Sequence, residues 1–241
     1  MATTRRATKR KKLTKKPARS IRESDKDRSS RSKKILKGLH KLYPEAECAL
    51  THKSALQLLV STILSAQCTD VRVNMVTPAL FKRYKTAKDF ANADQKDVEK
   101  LIQSTGFYRN KAKNIIGAGR VMTEKFGGKV PDTMDELLEL PGVARKTANV
   151  ILGTWFGKNE GFVVDTHIGR LAHRLHLTWR SRDSKDAVKI ERDLMEVFPQ
   201  KEWAYTGHAL IWHGRQVCSA RKPDCENCTL KALCPSAFSF D

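Results

Sequence analysis

The run Leu137-Leu138-Glu139-Leu140-Pro141-Gly142-Val143-Ala144-Arg145-Lys146-Thr147-Ala148 reads as a helix, a tight turn and a second helix. Pro141 and Gly142 stop the first helix. The second begins at about Arg145 and exposes backbone N–H groups that no preceding turn can satisfy. Those amides, with the positive end of the helix dipole, suit a phosphate oxygen and read no base sequence. Lys146 falls in the first turn of that second helix. The dipole disfavours an ammonium there, which suits an amine nucleophile. The ordinary alternative is a solvated lysine on a helix face. What singles Lys146 out is Asp165 in Val163-Val164-Asp165-Thr166-His167, a carboxylate directly after an apolar stretch. Asp165 also reads as the N-cap of the helix through Ile168, a role compatible with chemistry.

Outward from this hairpin, apolar residues recur at helical spacing. Leu56, Leu59, Val60, Ile63 and Leu64 form one face, and Val98, Leu101 and Ile102 another. Further helices are predicted over Lys111 to Phe126, Met134 to Leu140, Lys146 to Phe156, Ile168 to Leu177, Ala187 to Phe198 and Trp203 to Trp212. Gly106, Gly127-Gly128 with Pro131, Gly157 and Pro199 mark boundaries. Thr133 followed by Glu136 predicts a capping box. No alternating strand pattern and no solenoid period stands out, so the fold class is all-α.

The 241 residues are 40% hydrophobic, enough for one sizeable core or two modest ones. A formal net charge of +20 and a pI near 9.9 point to a polyanionic partner. Residues 1–34 hold 15 Lys or Arg against Glu23, Asp25 and Asp27, and the remainder is still basic. With almost no apolar residue before Ile35, that stretch is expected to be a disordered basic tail. It reads as a solvated tail, as a salt-sensitive nucleic-acid arm or, since residues 1–22 carry no acid, as a presequence. No apolar run approaches membrane-spanning length. The expectation is a soluble intracellular protein, in cytoplasm or nucleoid if bacterial, with nucleus or organelle left open.

Four of the six cysteines close the chain as Cys218-x6-Cys225-x2-Cys228-x5-Cys234. Four thiolates in so short a span can hold one metal centre, since thiolate sulfur suits zinc and iron–sulfur iron alike. Zinc sites usually bring two tight Cys-x2-Cys knuckles, and this run has one. The asymmetry favours a cubane cluster and leaves zinc as the alternative occupant. Cys48 and Cys68 read as core thiols.

From about Ala49 to Pro235 the chain resembles endonuclease III, a DNA glycosylase and abasic-site lyase of the helix-hairpin-helix superfamily. The resemblance rests on Leu64-Ser65-Ala66-Gln67 with Thr69-Asp70, on Leu140-Pro141-Gly142-Val143 with Arg145-Lys146-Thr147-Ala148-Asn149-Val150, on Val164-Asp165-Thr166-His167, and on the four cysteines. It implies a helical barrel domain at 48–158 carrying the hairpin, and a second domain built from 35–47 plus 159–241 with a 4Fe–4S cluster loop. It implies catalysis by Lys146, through a Schiff base to the sugar, with Asp165 stabilising charge and managing protons. The substrate would be duplex DNA bearing oxidised pyrimidines or abasic sites, with the damaged base flipped out, and the protein a monomer.

By the same resemblance Gln67 fills the gap left by the flipped base, and Phe107 wedges against the opposite strand where the family more often has leucine. Gly142, Ala144 and Arg145 belong to the phosphate-binding turn, His167 lines or flanks the cleft, and Arg221 and Lys222 point from the cysteine loop at phosphate. Ala144 replaces a glycine of the family's turn, and would carry strain if that position needs a positive φ. The cluster is no catalyst, since all four ligand positions are thiolates.

Two rivals remain. An adenine glycosylase of the same superfamily lacks the hairpin lysine, uses a carboxylate in the helix corresponding to Ser61–Gln67 and appends another domain. Here Lys146 is present, that stretch has no Asp or Glu, and the sequence stops soon after Cys234. A non-catalytic, metal-stapled DNA-binding module would explain charge and cysteines, and leaves the pairing of Lys146 with Asp165 accidental.

Overall fold

The computed structural model describes residues 23–239. The basic stretch 1–22 therefore lies outside the described residues. Among those described, the regular structure is entirely helical: α1 (Asp25–Leu42), α2 (Ala55–Ser65), α3 (Asp70–Arg83), α4 (Ala87–Ala91), α5 (Gln95–Ile102), α6 (Tyr108–Lys125), α7 (Met134–Leu138), α8 (Arg145–Thr154), α9 (Thr166–Arg174), α10 (Ala187–Val197) and α11 (Trp203–Gln216), with short 3-10 turns at Gln103–Thr105, Gln200–Glu202 and Lys231–Leu233.

One expectation is corrected at the N-terminal side. The structureless tail anticipated to residue 34 gives way at Ser24, because α1 begins at Asp25. The three acids of the stretch explain the change. Ser24 caps the helix by accepting from the Asp27 amide, and Asp25 and Asp27 sit at its positive end. Glu23 pairs with Arg31 at 2.6 Å, and the same guanidinium donates to the carbonyls of Leu175 and His176 beyond the end of α9. Ile35 and Leu39, one turn apart, are fully buried. Each contributes about 1.5–3 kcal/mol toward docking this polar helix.

Two hydrophobic cores form. The first gathers Leu58, Leu59, Val73, Leu80, Phe90, Ile102, Ile115, Leu140 and Leu152 from α2 to α8. The second joins α1, through Ile35 and Leu39 and the Tyr43 that follows it, to α9, α10 and α11 through Ile168, Leu194 and Leu210. The chain thus starts in the second core, leaves to build the first, and returns. Ion pairs cross between the two bodies: Arg145 to Glu191 at 3.1 Å from α8 to α10, and Arg215 to Asp70 at 2.7 Å from α11 to α3.

Helix starts follow side-chain chemistry, with three exceptions. Side chains cap α1 to α5, α7, α9 and α10. The box expected at Thr133 forms by half: Thr133 Oγ1 accepts from the Glu136 amide, while the Glu136 carboxylate takes the Thr133 hydroxyl instead of a backbone N–H. The reciprocal box belongs to Thr86 and Asp89 at α4. Helices α6, α8 and α11 start without a side-chain cap.

Candidate active site

A cavity of about 300 Å³ lies between the two bodies. Its walls include Lys146 and Asn149 of α8, Gln67 and Asp70 of the α2–α3 corner, Asp165 at the head of α9, and His208, Trp212 and Arg215 of α11. Lys146 and Asp165, 19 positions apart in sequence, thus face one space from opposite bodies.

The turn before α8 is set by Gly142. Its φ is +81°, and a Cβ there would meet the Asn114 side chain at 2.8 Å. Ala144, where strain was conceivable, has φ −103° and ψ 170°, an extended conformation open to any residue. The positive φ sits two residues earlier, so alanine costs the turn nothing. Ala144 offers no side-chain acceptor, and the first amides of α8 are left for another oxygen. Lys146, second residue of α8, is exposed. Among the described residues it donates no hydrogen bond and makes no ion pair. Arg145 is committed: its Nη2 lies 3.1 Å from Glu191 Oε1, the atom that also accepts from Asn149 Nδ2 at 3.2 Å. The guanidinium therefore clamps α8 onto α10.

Asp165 is half-buried and caps α9, its Oδ1 accepting from the Ile168 amide at 2.8 Å. Oδ2 takes no hydrogen bond from the described residues. His167 is absent from the cavity wall, because it turns toward α11. There the Arg170 guanidinium lies 3.2 Å from its Nδ1, and the ring packs over Gly214. Burial holds His167 below the usual imidazole range, against the opposing pull of Asp165. Arg170 goes on to the carbonyls of Gly214 and Cys218. Arg170, with His167 beside it, thus links α9 to the cysteine loop.

Gln67 and Phe107 are both exposed, Phe107 at 63%. They are two of the four non-glycine residues at positive φ among those described, at +53° and +47°. Left-handed backbone at such residues costs about 1–3 kcal/mol and concentrates at functional sites. Neither corner can be read as ordinary packing of its side chain.

The four cysteines of the C-terminal loop line one small apolar cavity with Arg174 and His213, and none is in a disulfide. No group of three or more His, Cys, Asp or Glu among the described residues meets the geometry of a single bound ion. Burial pushes the Cys228 thiol up, and Cys234 to about 11. Arg174 Nη1 lies 3.2 Å from Cys218 Sγ. Buried His213 is neutral, held at about 4 by desolvation. Its ring lies between the Tyr43 hydroxyl, 3.0 Å from Nδ1, and Cys228 Sγ, 3.6 Å from Nε2. Four half-buried thiols around one cavity, one of them met by the Arg174 guanidinium, are a fitting donor set for a thiolate-bound centre. Arg221 and Lys222 are exposed on the Cys218–Cys225 segment, whose turn Ser219 closes by bonding Lys222 at both its N–H and C=O.

Sequence reasoning missed three residues. Glu191 holds Arg145 and Asn149 from α10. His208, beside Thr154 on the cavity wall, is driven to about 4 by burial. Lys111, only 4% exposed, bonds two backbone carbonyls. Their partners are 42 or more residues away, or are carbonyls, which leave no mark in sequence.

Comparison with known proteins gives the family. The family model described as HhH-GPD superfamily base excision DNA repair protein matches residues 60–200. Endonuclease III of Synechocystis sp. is 56% identical over 210 residues, covering 87% of this chain and 94% of that protein. Endonuclease III of Bacillus subtilis is 44% identical over 193 residues, covering 80% and 86%. Among solved structures, a trapped endonuclease III–DNA covalent intermediate superposes with a TM-score of 0.80 at 39% identity, covering 87% of this chain and 96% of that one.

Proposed function

The chain belongs to the endonuclease III family of HhH-GPD base-excision DNA repair proteins, and from that premise we propose that Lys146 is its nucleophile and Asp165 its charge-stabilising carboxylate. It is a bifunctional DNA glycosylase and abasic-site lyase acting on double-stranded DNA. Oxidised pyrimidines are the proposed lesions. One observation carries the residue assignment: Lys146, Asp165 and Gln67, from three separate segments, line a single cavity.

The amine of Lys146, uncharged at the moment of attack, adds to the sugar C1′ and the damaged base departs with its bonding electrons and a proton. Ring opening leaves a Schiff base between Nζ and C1′. Loss of a C2′ proton then expels the 3′ phosphate and nicks the strand. Asp165 faces the positive charge that develops on the sugar, and its uncommitted Oδ2 is the atom suited to relay protons. The cap on Oδ1 fixes the carboxylate's orientation, as a preorganised charge requires. The uncapped start of α8 and the Gly142 turn would take a backbone phosphate on their amides. Arg221 and Lys222, exposed and without side-chain ion pairs among the described residues, would add salt-sensitive phosphate contacts. Arg145 contributes by holding α8 in place.

A 4Fe–4S cluster is the proposed occupant of the cysteine cavity, held by Cys218, Cys225, Cys228 and Cys234, and it would supply folding of the loop. We further take the two bodies to divide at 48–158 and at 25–47 plus 159–239, the first boundary moved back from 35 because α1 begins at Asp25. Among the described residues no helix is long and apolar enough to cross a membrane.

The assignment is tested by incubating wild type and Lys146→Ala with a duplex carrying one oxidised thymine and with one carrying an abasic site. Wild type should release base and leave a 3′ unsaturated aldehyde, and Lys146→Ala should lose the cleavage. Full strand cleavage by Lys146→Ala would rule the mechanism out.

A further inference from the structure

Lys111 belongs to neither the cavity nor the surface. It is the fourth residue of α6, 4% exposed, and its ammonium donates to Leu64 O and Thr105 O, both at 2.8 Å. Those two carbonyls have something in common. Leu64 lies in the last turn of α2, where carbonyls lose their helical partners, and three residues later comes Gln67. Thr105 ends the 3-10 turn after α5, and two residues later comes Phe107. One buried cation thus joins the negative ends of two helical segments, and each runs directly into a strained corner bearing an exposed side chain. The amide of Lys111 also donates to Phe107 O at 3.1 Å, so a single residue grips the second corner twice.

This arrangement is costly for a simple cap. Burial acts to strip the ammonium of its charge, opposed by the neighbouring Cys68 thiol, and the side chain must reach back from the positive end of its own helix. A buried charge is kept when its bonds hold something that packing alone would not. Gln67 and Phe107 stand at +53° and +47° in loops of a few residues, and neither is wedged in place by its own side chain. Filling a vacated base position from one side and the opposite strand from the other requires the two tips to keep a fixed separation.

We infer that Lys111 is a positioning residue that locks the Gln67 and Phe107 corners to each other, so that both enter the duplex as one rigid wedge. The inference rests on the reading of Gln67 and Phe107 as the wedge. Lysine suits the task because a compact ammonium on a flexible stem carries three donors that can turn to meet carbonyls in two directions.

The test uses the full-length, metal-loaded protein and the variants Lys111→Met, Gln67→Ala/Phe107→Ala, and the triple combination. Base extrusion is read by 2-aminopurine fluorescence beside the lesion, with single-turnover base release from the same duplex. Cleavage of an abasic aldehyde in a single-stranded oligonucleotide, which needs no extrusion, is the control. Lys111→Met should slow duplex base release about tenfold to a hundredfold, keep single-stranded cleavage within about twofold, and add nothing in the triple variant. Equal losses on both substrates, or a multiplied loss in the triple variant, would show a general structural role and overturn the inference. Normal extrusion by Gln67→Ala/Phe107→Ala would instead overturn the wedge reading, and the inference with it. Should Lys111→Met not fold, Lys111→Gln, which can still serve one carbonyl, carries the same comparison.

Discussion

The starts of α6 and α8 look alike and behave oppositely. Each helix begins without a side-chain cap, each follows a turn with a positive-φ glycine, and each carries a lysine within its first four residues. At α6 the preceding chain folds over the helix end and presents two carbonyls, so Lys111 is buried and both bonds are fixed. At α8 the preceding turn leads away, the neighbouring Arg145 is taken up by Glu191, and Lys146 is left exposed at the cavity. The fate of a lysine is thus decided by what the chain lays across the helix end, and the propensity of the residue decides nothing.

The same substitution at the two lysines should separate these roles most widely. Lys146→Met should cut strand cleavage by about 10³-fold or more while moving stability by no more than about 0.5 kcal/mol, as exposed sites do. Lys111→Met should leave two buried carbonyls unpaired and cost about 1–3 kcal/mol of stability. Denaturant unfolding beside single-turnover kinetics reads both, and equal destabilisation of the two variants would erase the contrast.

Asp165 sharpens the α8 side. Asn caps a helix about as well as Asp, so Asp165→Asn should keep the melting temperature and lower base release about 10²–10⁴-fold. Asp165→Ala should add about 1 kcal/mol of lost stability through the missing cap. A fully active Asp165→Asn enzyme would reduce this carboxylate to a cap.

Smaller effects are expected at the turn. Gly142→Ala must hold a left-handed φ and push a Cβ against Asn114, costing about 1–3 kcal/mol and weakening DNA affinity. Thermal unfolding and a binding titration would show it, and an unchanged melting temperature would mean the turn tolerates another geometry.

The smallest effect concerns acid damage to the fold beside the cavity. Burial takes His208 from 6.5 down to about 4, so the unfolded chain binds a proton that the folded chain refuses. The stability this histidine permits is complete above pH 6.5 and is lost as pH falls toward about 4. His208→Gln should flatten the melting temperature across that window. An identical slope in the variant would assign the acid loss elsewhere.

Much of this was legible locally. The hairpin, Lys146, Asp165 and the cysteine spacing each fit within a few residues, and the helices from α6 onward announce themselves by apolar period. Helix α1 was hidden because only Ile35 and Leu39 of so charged a segment meet the core fully. Helix α3 carries Pro78 in its interior and leaves Val71 and Met75 exposed, which spoils its pattern. At the site, the place of His167 depends on Gly214 and Arg170, and the commitment of Arg145 depends on Glu191, 46 residues on. Such pairings are products of the fold and have no local signature.

The most direct test is to trap the reaction with borohydride on a duplex carrying one oxidised thymine, digest the covalent complex, and locate the sugar adduct by mass spectrometry. The account predicts one modified peptide, bearing the adduct on Lys146, and no trapped complex with Lys146→Ala. An adduct on any other residue, Lys111 included, or undiminished trapping by Lys146→Ala, would contradict it.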